Sequence, residues 1–180
     1  MFEEKLWLWK LRRGDAEALR HIYDRYKHDM LGLAVSLSGD RTVGEDAVHD
    51  VFVSFVRRAP ELRLRSSLRS YLLCSVANRV RNARRTDTRR PQPVEAVEPV
   101  SLDSQRPDRV AVRAEQAVLI EQAMAELPYD QHEAIILHLQ VGMTFREIAE
   151  SQDVSINTVL GRYRYGLQRL RSLLDGKVTP

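Results

Sequence analysis

Apolar residues return at every third or fourth position along most of this chain, and no stretch alternates strictly as a half-buried strand would. Phe2, Leu6 and Trp9 mark one face of a predicted helix over residues 2–12. Gly14 breaks that pattern and Asp15 is placed to cap a second helix. Ala18, Ile22, Tyr23, Tyr26, Met30, Leu33, Ala34 and Leu37 then recur at three and four, a strong amphipathic signal that Ser38-Gly39-Asp40 closes. Thr42 and Glu45 have capping-box spacing at the head of a third helix through Val48, Val51, Phe52, Phe55 and Val56, with Pro60 at its end. ELRLRSS reads as a loop. Ser67 is placed to cap a fourth helix through Leu68, Tyr71, Leu72, Val76 and Val80 to Arg85. Four amphipathic helices with short connections can close one core, which defines a first domain over residues 1–90.

The texture changes after Arg90. Pro91, Pro93, Pro99 and Pro107 fall in a stretch without aromatics or apolar period, the composition of a flexible linker over residues 91–111. Periodicity resumes near Val112 with Val118, Leu119, Ala123, Met124 and Leu127, and Pro128 interrupts it. Asp130 and Glu133 have capping-box spacing before Ile135, Ile136 and Leu139, and Gly142 suits a C-cap. The expected architecture is all-α: two small helical domains joined by a Pro-rich linker, the second spanning residues 112–176.

That second domain ends in the most informative stretch, TFREIAESQDVSINTVLGRYRYGLQRLRSLL. Thr144 and Glu147 form a capping box, and Phe145, Ile148 and Ala149 mark one face of a short helix. Ser155 is a second N-cap, leading into Ile156, Val159, Tyr163, Leu167, Leu170 and Leu174 at helical spacing. Two helices across so short a turn make a helix-turn-helix, with Ile148, Val154 and Val159 at the seam. Its second helix presents Asn157, Thr158, Arg162, Arg164 and Arg169, donors and cations suited to base edges and phosphates. A helical hairpin with a solvated basic face is the plainer reading. Asp153 stands where the turn favours glycine, at some conformational cost.

Charge sharpens the picture. Net charge is only +3 over 180 residues, but Arg57 to Arg90 holds eleven arginines against Glu61 and Asp87. Such a stripe suits a polyanionic partner. Cys74 is the only cysteine, which excludes an internal disulfide and fits a reducing cytoplasm. There is no apolar run of membrane-spanning length, and MFEEKLWLWKLRRGD is too charged for a signal peptide. The five histidines are scattered, no glycine-rich phosphate loop occurs, and Glu45, Asp46 and Asp50 fit a helix start or a docking surface better than a metal site. Neither catalysis, a metal nor a cofactor is expected.

In order, these segments resemble a bacterial RNA polymerase sigma factor of the extracytoplasmic-function (ECF) type, from Gly14 to Leu174. GDAEALRHIYDRY is similar to that family's opening helix, and EDAVHDVFVSFVRRA to the motif that docks on the polymerase clamp. LRSYLLCSVANRVRNARR resembles the helix that engages the minus-ten element. The segment from Leu127 to Leu174 is similar to the domain that reads the upstream, minus-thirty-five element. Several motifs in the right order are more specific than one helix-turn-helix.

The resemblance implies a polymerase contact at Glu45, Asp46, Asp50, Val51 and Phe52, although Val51 and Phe52 also fit the core. It implies minus-ten recognition and melting by Arg63, Arg65, Arg69, Tyr71, Asn78, Arg79, Arg81, Arg84 and Arg85, with Tyr71 equally suited to the core. Ser155, Asn157, Thr158, Arg162, Arg164 and Tyr165 would meet the upstream element. The implied partners are core RNA polymerase (through the clamp of the beta-prime subunit and the beta flap), promoter DNA and an anti-sigma protein. His49, Tyr71, Asn82, Asp153 and Leu160 depart from the family's usual glutamine, tryptophan, aspartate, glycine and lysine, so no promoter sequence carries over. The competing readings are a stand-alone helix-turn-helix regulator, which leaves the arginine-rich segment and docking face of domain one without a task, and a protein-interaction module.

Overall fold

The computed structural model describes residues 2–62, 64, 67–86 and 107–177. The described residues form eight helices and no strand: α1 (Phe2–Arg12), α2 (Ala16–Ser38), α3 (Arg41–Arg58), α4 (Leu68–Thr86), α5 (Pro107–Ala125), α6 (Tyr129–Leu139), α7 (Phe145–Gln152) and α8 (Ile156–Lys177). They divide into two compact units, Met1–Pro93 and Val94–Pro180. Most of the expected linker lies outside the described residues. Its last part does not: α5 starts at Pro107, where a missing N–H costs a first helical turn nothing.

In the first unit, α2 is the hub, packing on α1, α3 and α4. Asp15 caps it by accepting the Glu17 and Ala18 N–H groups at 2.9 and 3.3 Å. Gly39 ends it in a left-handed conformation (φ 73°), its N–H returned to the Val35 carbonyl. The stripe Ala18, Ile22, Tyr26, Met30, Leu33, Ala34 and Leu37 is buried, together with Val35. Tyr26 donates to Glu4 at 2.8 Å, and burial, reinforced by that carboxylate, pushes its phenol up to about 12. Tyr23, expected in the stripe, is 42% exposed and meets Phe52 edge-on.

Three local expectations give way. Helix α1 buries Leu8 and Leu11 while Leu6 and Trp9 stay exposed, so its inward face is the opposite one. Its Trp7 stacks on His21 at 4.1 Å. Helix α3 is capped by Asp40, whose Oδ1 accepts from Thr42 and Val43; Glu45 instead pairs with Arg41 at 2.8 Å. Helix α6 has no side-chain cap, because its N-cap residue is Pro128, whose ring offers no acceptor. Glu133, expected in that cap, is 1% exposed.

In the second unit, α8 packs on α5, α6 and α7. Val159 is fully buried, whereas Ile156 and Leu167 are exposed. The close approach falls at Gly166, where a Cβ would come within 2.9 Å of Ile135 Cδ1 and 3.1 Å of Gln131 Cβ.

Candidate polymerase and nucleic-acid interfaces

The helix-turn-helix is built as its caps dictate. Thr144 Oγ1 accepts the Glu147 N–H at 3.3 Å, and Glu147 Oε2 accepts the Thr144 N–H at 2.8 Å. That backbone hydrogen bond, with one from the threonine hydroxyl, holds the Glu147 carboxyl below its ordinary value. Ile148 and Ala149 face inward. Asp153 takes the left-handed turn position at φ 55°, and its N–H closes on the Ala149 carbonyl. Ser155 caps α8 by accepting the Thr158 N–H at 3.1 Å, and the two hydroxyls meet at 2.8 Å.

One expected DNA contact, Arg162, is half-buried and engaged within the domain. Arg162 donates from Nη1 to Gln152 Oε1 at 2.8 Å and from Nη2 to Asp130 Oδ2 at 2.7 Å. Gln152 in turn donates to Glu133 Oε2 at 2.9 Å, and both of those residues are buried. The chain Glu133–Gln152–Arg162–Asp130 therefore ties α6, α7 and α8 together, and Arg162 braces the motif. Asn157, Arg164 and Tyr165 stay exposed, with the Arg164 guanidinium 5.3 Å from the Tyr165 ring centroid.

Domain one redistributes its expected residues as well. Val51 and Phe52 are 7% and 6% exposed, so both are core, Phe52 lying edge-on to Phe55. Glu45, Asp46, His49 and Asp50 are outside, with Val53 and Val56 each 37% exposed further along. His49, Val53 and Val56, outside the docking set read from the sequence, share this exposed face by spacing of three and four from Asp46. An apolar groove of about 480 Å³ opens there, lined by Leu19, Tyr23, Phe52, Val53 and Val56 with Arg20 and Arg57.

The arginines of α4 are largely engaged within the domain. Arg79 bonds Asp50 at 2.7 Å, Arg69 bonds Asp29 at 2.8 Å, and Arg81 is buried with Nη1 on Asn78 Oδ1 at 2.9 Å. Burial of Arg81 removes it from the DNA-facing set. Arg84 reaches the Leu37 carbonyl at 3.4 Å, and Arg85 is exposed near the helix end. Tyr71 is half-buried, its ring centroid 6.3 Å from that of Phe55. Asn78 is half-buried against Cys74. Arg63 and Arg65 lie outside the described residues. Among the described residues no cluster of metal-ligating side chains occurs, and no helix is long and apolar enough to cross a membrane.

An acidic-and-apolar helix face, an arginine-rich helix and a capped helix-turn-helix on two helical units define a DNA-binding protein with a protein-docking surface. Residues 22–90 match the family described as Sigma-70 region 2, and residues 117–170 the one described as Sigma-70, region 4. The chain belongs to the sigma-70 family and is a sigma factor of the ECF type, directing promoter-specific transcription. It is 26% identical to the ECF RNA polymerase sigma-E factor of Escherichia coli K12, over 95% of this chain and 92% of that one. It is 24% identical to the RNA polymerase sigma-H factor of Pseudomonas aeruginosa, over 95% and 91%. Two solved structures share the fold. CnrH in complex with the cytosolic domain of CnrY has a TM-score of 0.63 at 20% identity, covering 96% of this chain and 97% of that one. The sigma factor RpoE with the anti-sigma factor NepR from Bartonella quintana has 0.65 at 22%, covering 89% and 98%.

Proposed function

We propose that the two domains divide the sigma-factor work between them. Domain one docks on the polymerase clamp through the outward face of α3, formed by Asp46, His49, Asp50 and Val53. Its α4 and the residues preceding it hold minus-ten DNA as the strands separate, with Arg63, Arg65, Arg69 and Arg85 on phosphates and the half-buried Tyr71 contributing from α4. Domain two reads the upstream element with Asn157, Arg164 and Tyr165 of α8, Arg162 holding that helix in place. The observation that carries this reading is the two-sidedness of α3. Phe52 and Phe55 complete the core, yet the opposite face still combines carboxylates with exposed valines. A stand-alone regulator has no use for such a face. The protein then acts in the cytoplasm beside its polymerase, and the RpoE–NepR complex supports an anti-sigma protein as its restraint.

Run-off transcription with reconstituted core enzyme tests the whole. Promoter-dependent transcripts on adding the protein support it; upstream DNA binding without core binding would leave only the regulator.

A further inference from the structure

Helix α3 ends at Arg58, and the chain then turns through Ala59 to Leu62, which Arg63 follows in sequence. A helix C-terminus leaves carbonyls without intrahelical donors and concentrates partial negative charge. Here the Val56 and Arg58 carbonyls are met locally, by the Ala59 and Glu61 N–H groups, and a donor from far away in sequence holds the turn that follows. Arg12, the last residue of α1, places Nε 3.3 Å from the Ala59 carbonyl and Nη2 2.5 Å from the Leu62 carbonyl, across 47 and 50 residues. Ala59 is itself buried, so this fork fixes the exit of α3 against a rigid base. The neighbouring Arg13 makes no such bridge: its guanidinium lies 4.8 Å from the Trp9 ring centroid.

We infer that Arg12 is a positioning residue for promoter opening: it ties the turn Ala59–Leu62, which leads directly into Arg63, to the N-terminal helix. This rests on the reading of Arg63 and Arg65 as DNA-melting residues. A guanidinium bridging two carbonyls constrains direction as well as distance, which a lysine's single ammonium cannot reproduce. The N-terminal helix thus acts on DNA opening without touching DNA.

The test compares Arg12→Ala, Arg12→Lys and Arg13→Ala in the full chain with core enzyme on a duplex promoter. Arg12→Ala should slow the appearance of permanganate-reactive thymines about tenfold, the size expected for losing a charge-assisted hydrogen-bonded bridge. Core affinity should hold, Arg12→Lys should recover only part of the rate, and Arg13→Ala should match wild type. Hydrogen exchange should quicken at amides 59–67 while the α2 core stays protected. Exchange quickening throughout domain one would overturn the inference, since Arg12 would then be a general stabiliser. An Arg63→Ala/Arg65→Ala variant separates the two levels. If it is defective while Arg12→Ala opens DNA normally, the positioning role fails alone. If it too opens DNA normally, the melting role of Arg63 and Arg65 fails and takes the inference with it.

Discussion

Arg79 of α4 grips Asp50 of α3 across 29 residues, with Nε at 2.8 Å and Nη2 at 2.7 Å from the same carboxylate oxygen. The two belong to different expected partners, Asp50 to the polymerase and Arg79 to DNA. Both side chains are nearly half exposed, so the pair contributes little to stability and can be exchanged for an outside partner. It places the docking face and the arginine-rich helix in direct electrostatic contact.

Docking is therefore tested with that pair in view. Reversing Asp46 and Asp50 to lysine should weaken core binding by several kcal/mol, because repulsion replaces attraction. Arg79→Ala, which removes only the internal partner of Asp50, should leave core affinity near wild type. Circular dichroism should show helical content unchanged in both. Wild-type core affinity in the double reversal would remove these carboxylates from the interface.

Much of this arrangement is legible in the sequence, and its failures have specific causes. The α2 stripe from Ala18 to Leu37 is long enough for periodicity to fix its inward face. In α1, FEEKLWLWKLR carries apolar residues all around, and spacing alone cannot choose Leu8 and Leu11 over Leu6 and Trp9. The expected boxes at Thr42 and Asp130 lost to neighbours, Asp40 offering an earlier cap and Pro128 taking the N-cap place. Among the site residues, the exposed ones are a matter of helical phase and could be read. Arg162 could not, because its partner Asp130 lies 32 residues away and only the fold brings them together.

Arg162 and Arg164 should consequently behave differently. Arg162→Ala leaves the Gln152 carbonyl oxygen without its donor in a buried position, at a cost of about 1–3 kcal/mol. Thermal unfolding of the second domain should shift down, and affinity for all promoter sequences should fall together. Arg164→Ala should leave unfolding unchanged while altering base preference or, for a phosphate contact, lowering the salt slope by about 1. A binding-site selection combined with melting curves distinguishes them; equal stability of the two variants would refute the bracing role of Arg162.

The capping box gives α7 an acid limit. Because the Glu147 carboxyl sits below its ordinary value in the folded protein, its contribution is full above the unfolded value and is lost as pH falls through the folded one. Glu147→Gln should remove that part of the pH dependence while keeping a capping amide. Thr144→Ala should cost about 1 kcal/mol at neutral pH. Unfolding of the second domain monitored between pH 7 and pH 3, a range of about 4 units spanning ordinary carboxylate titration, checks both. An acid limb equally steep in Glu147→Gln would place the titration elsewhere.

Strand opening is the activity that separates a sigma factor from a simple DNA-binding regulator. Arg69 stands near the start of α4, held on Asp29 at 2.8 Å with both side chains over 40% exposed, so phosphate can compete for it. Arg63 and Arg65 precede it in sequence by only a few residues. On the proposed reading these cations hold a displaced strand by its backbone, and each phosphate contact contributes about one unit to the salt slope of binding. Replacing all three with alanine should spare core binding and most closed-complex formation. It should depress permanganate reactivity of promoter thymines, flatten the salt dependence of the open complex, and be partly rescued by a premelted bubble template. The rescue is the decisive arm, because it supplies the opened strands that the variant fails to capture. A defect of equal size on bubble and duplex templates would move these arginines out of the melting step and into a later one.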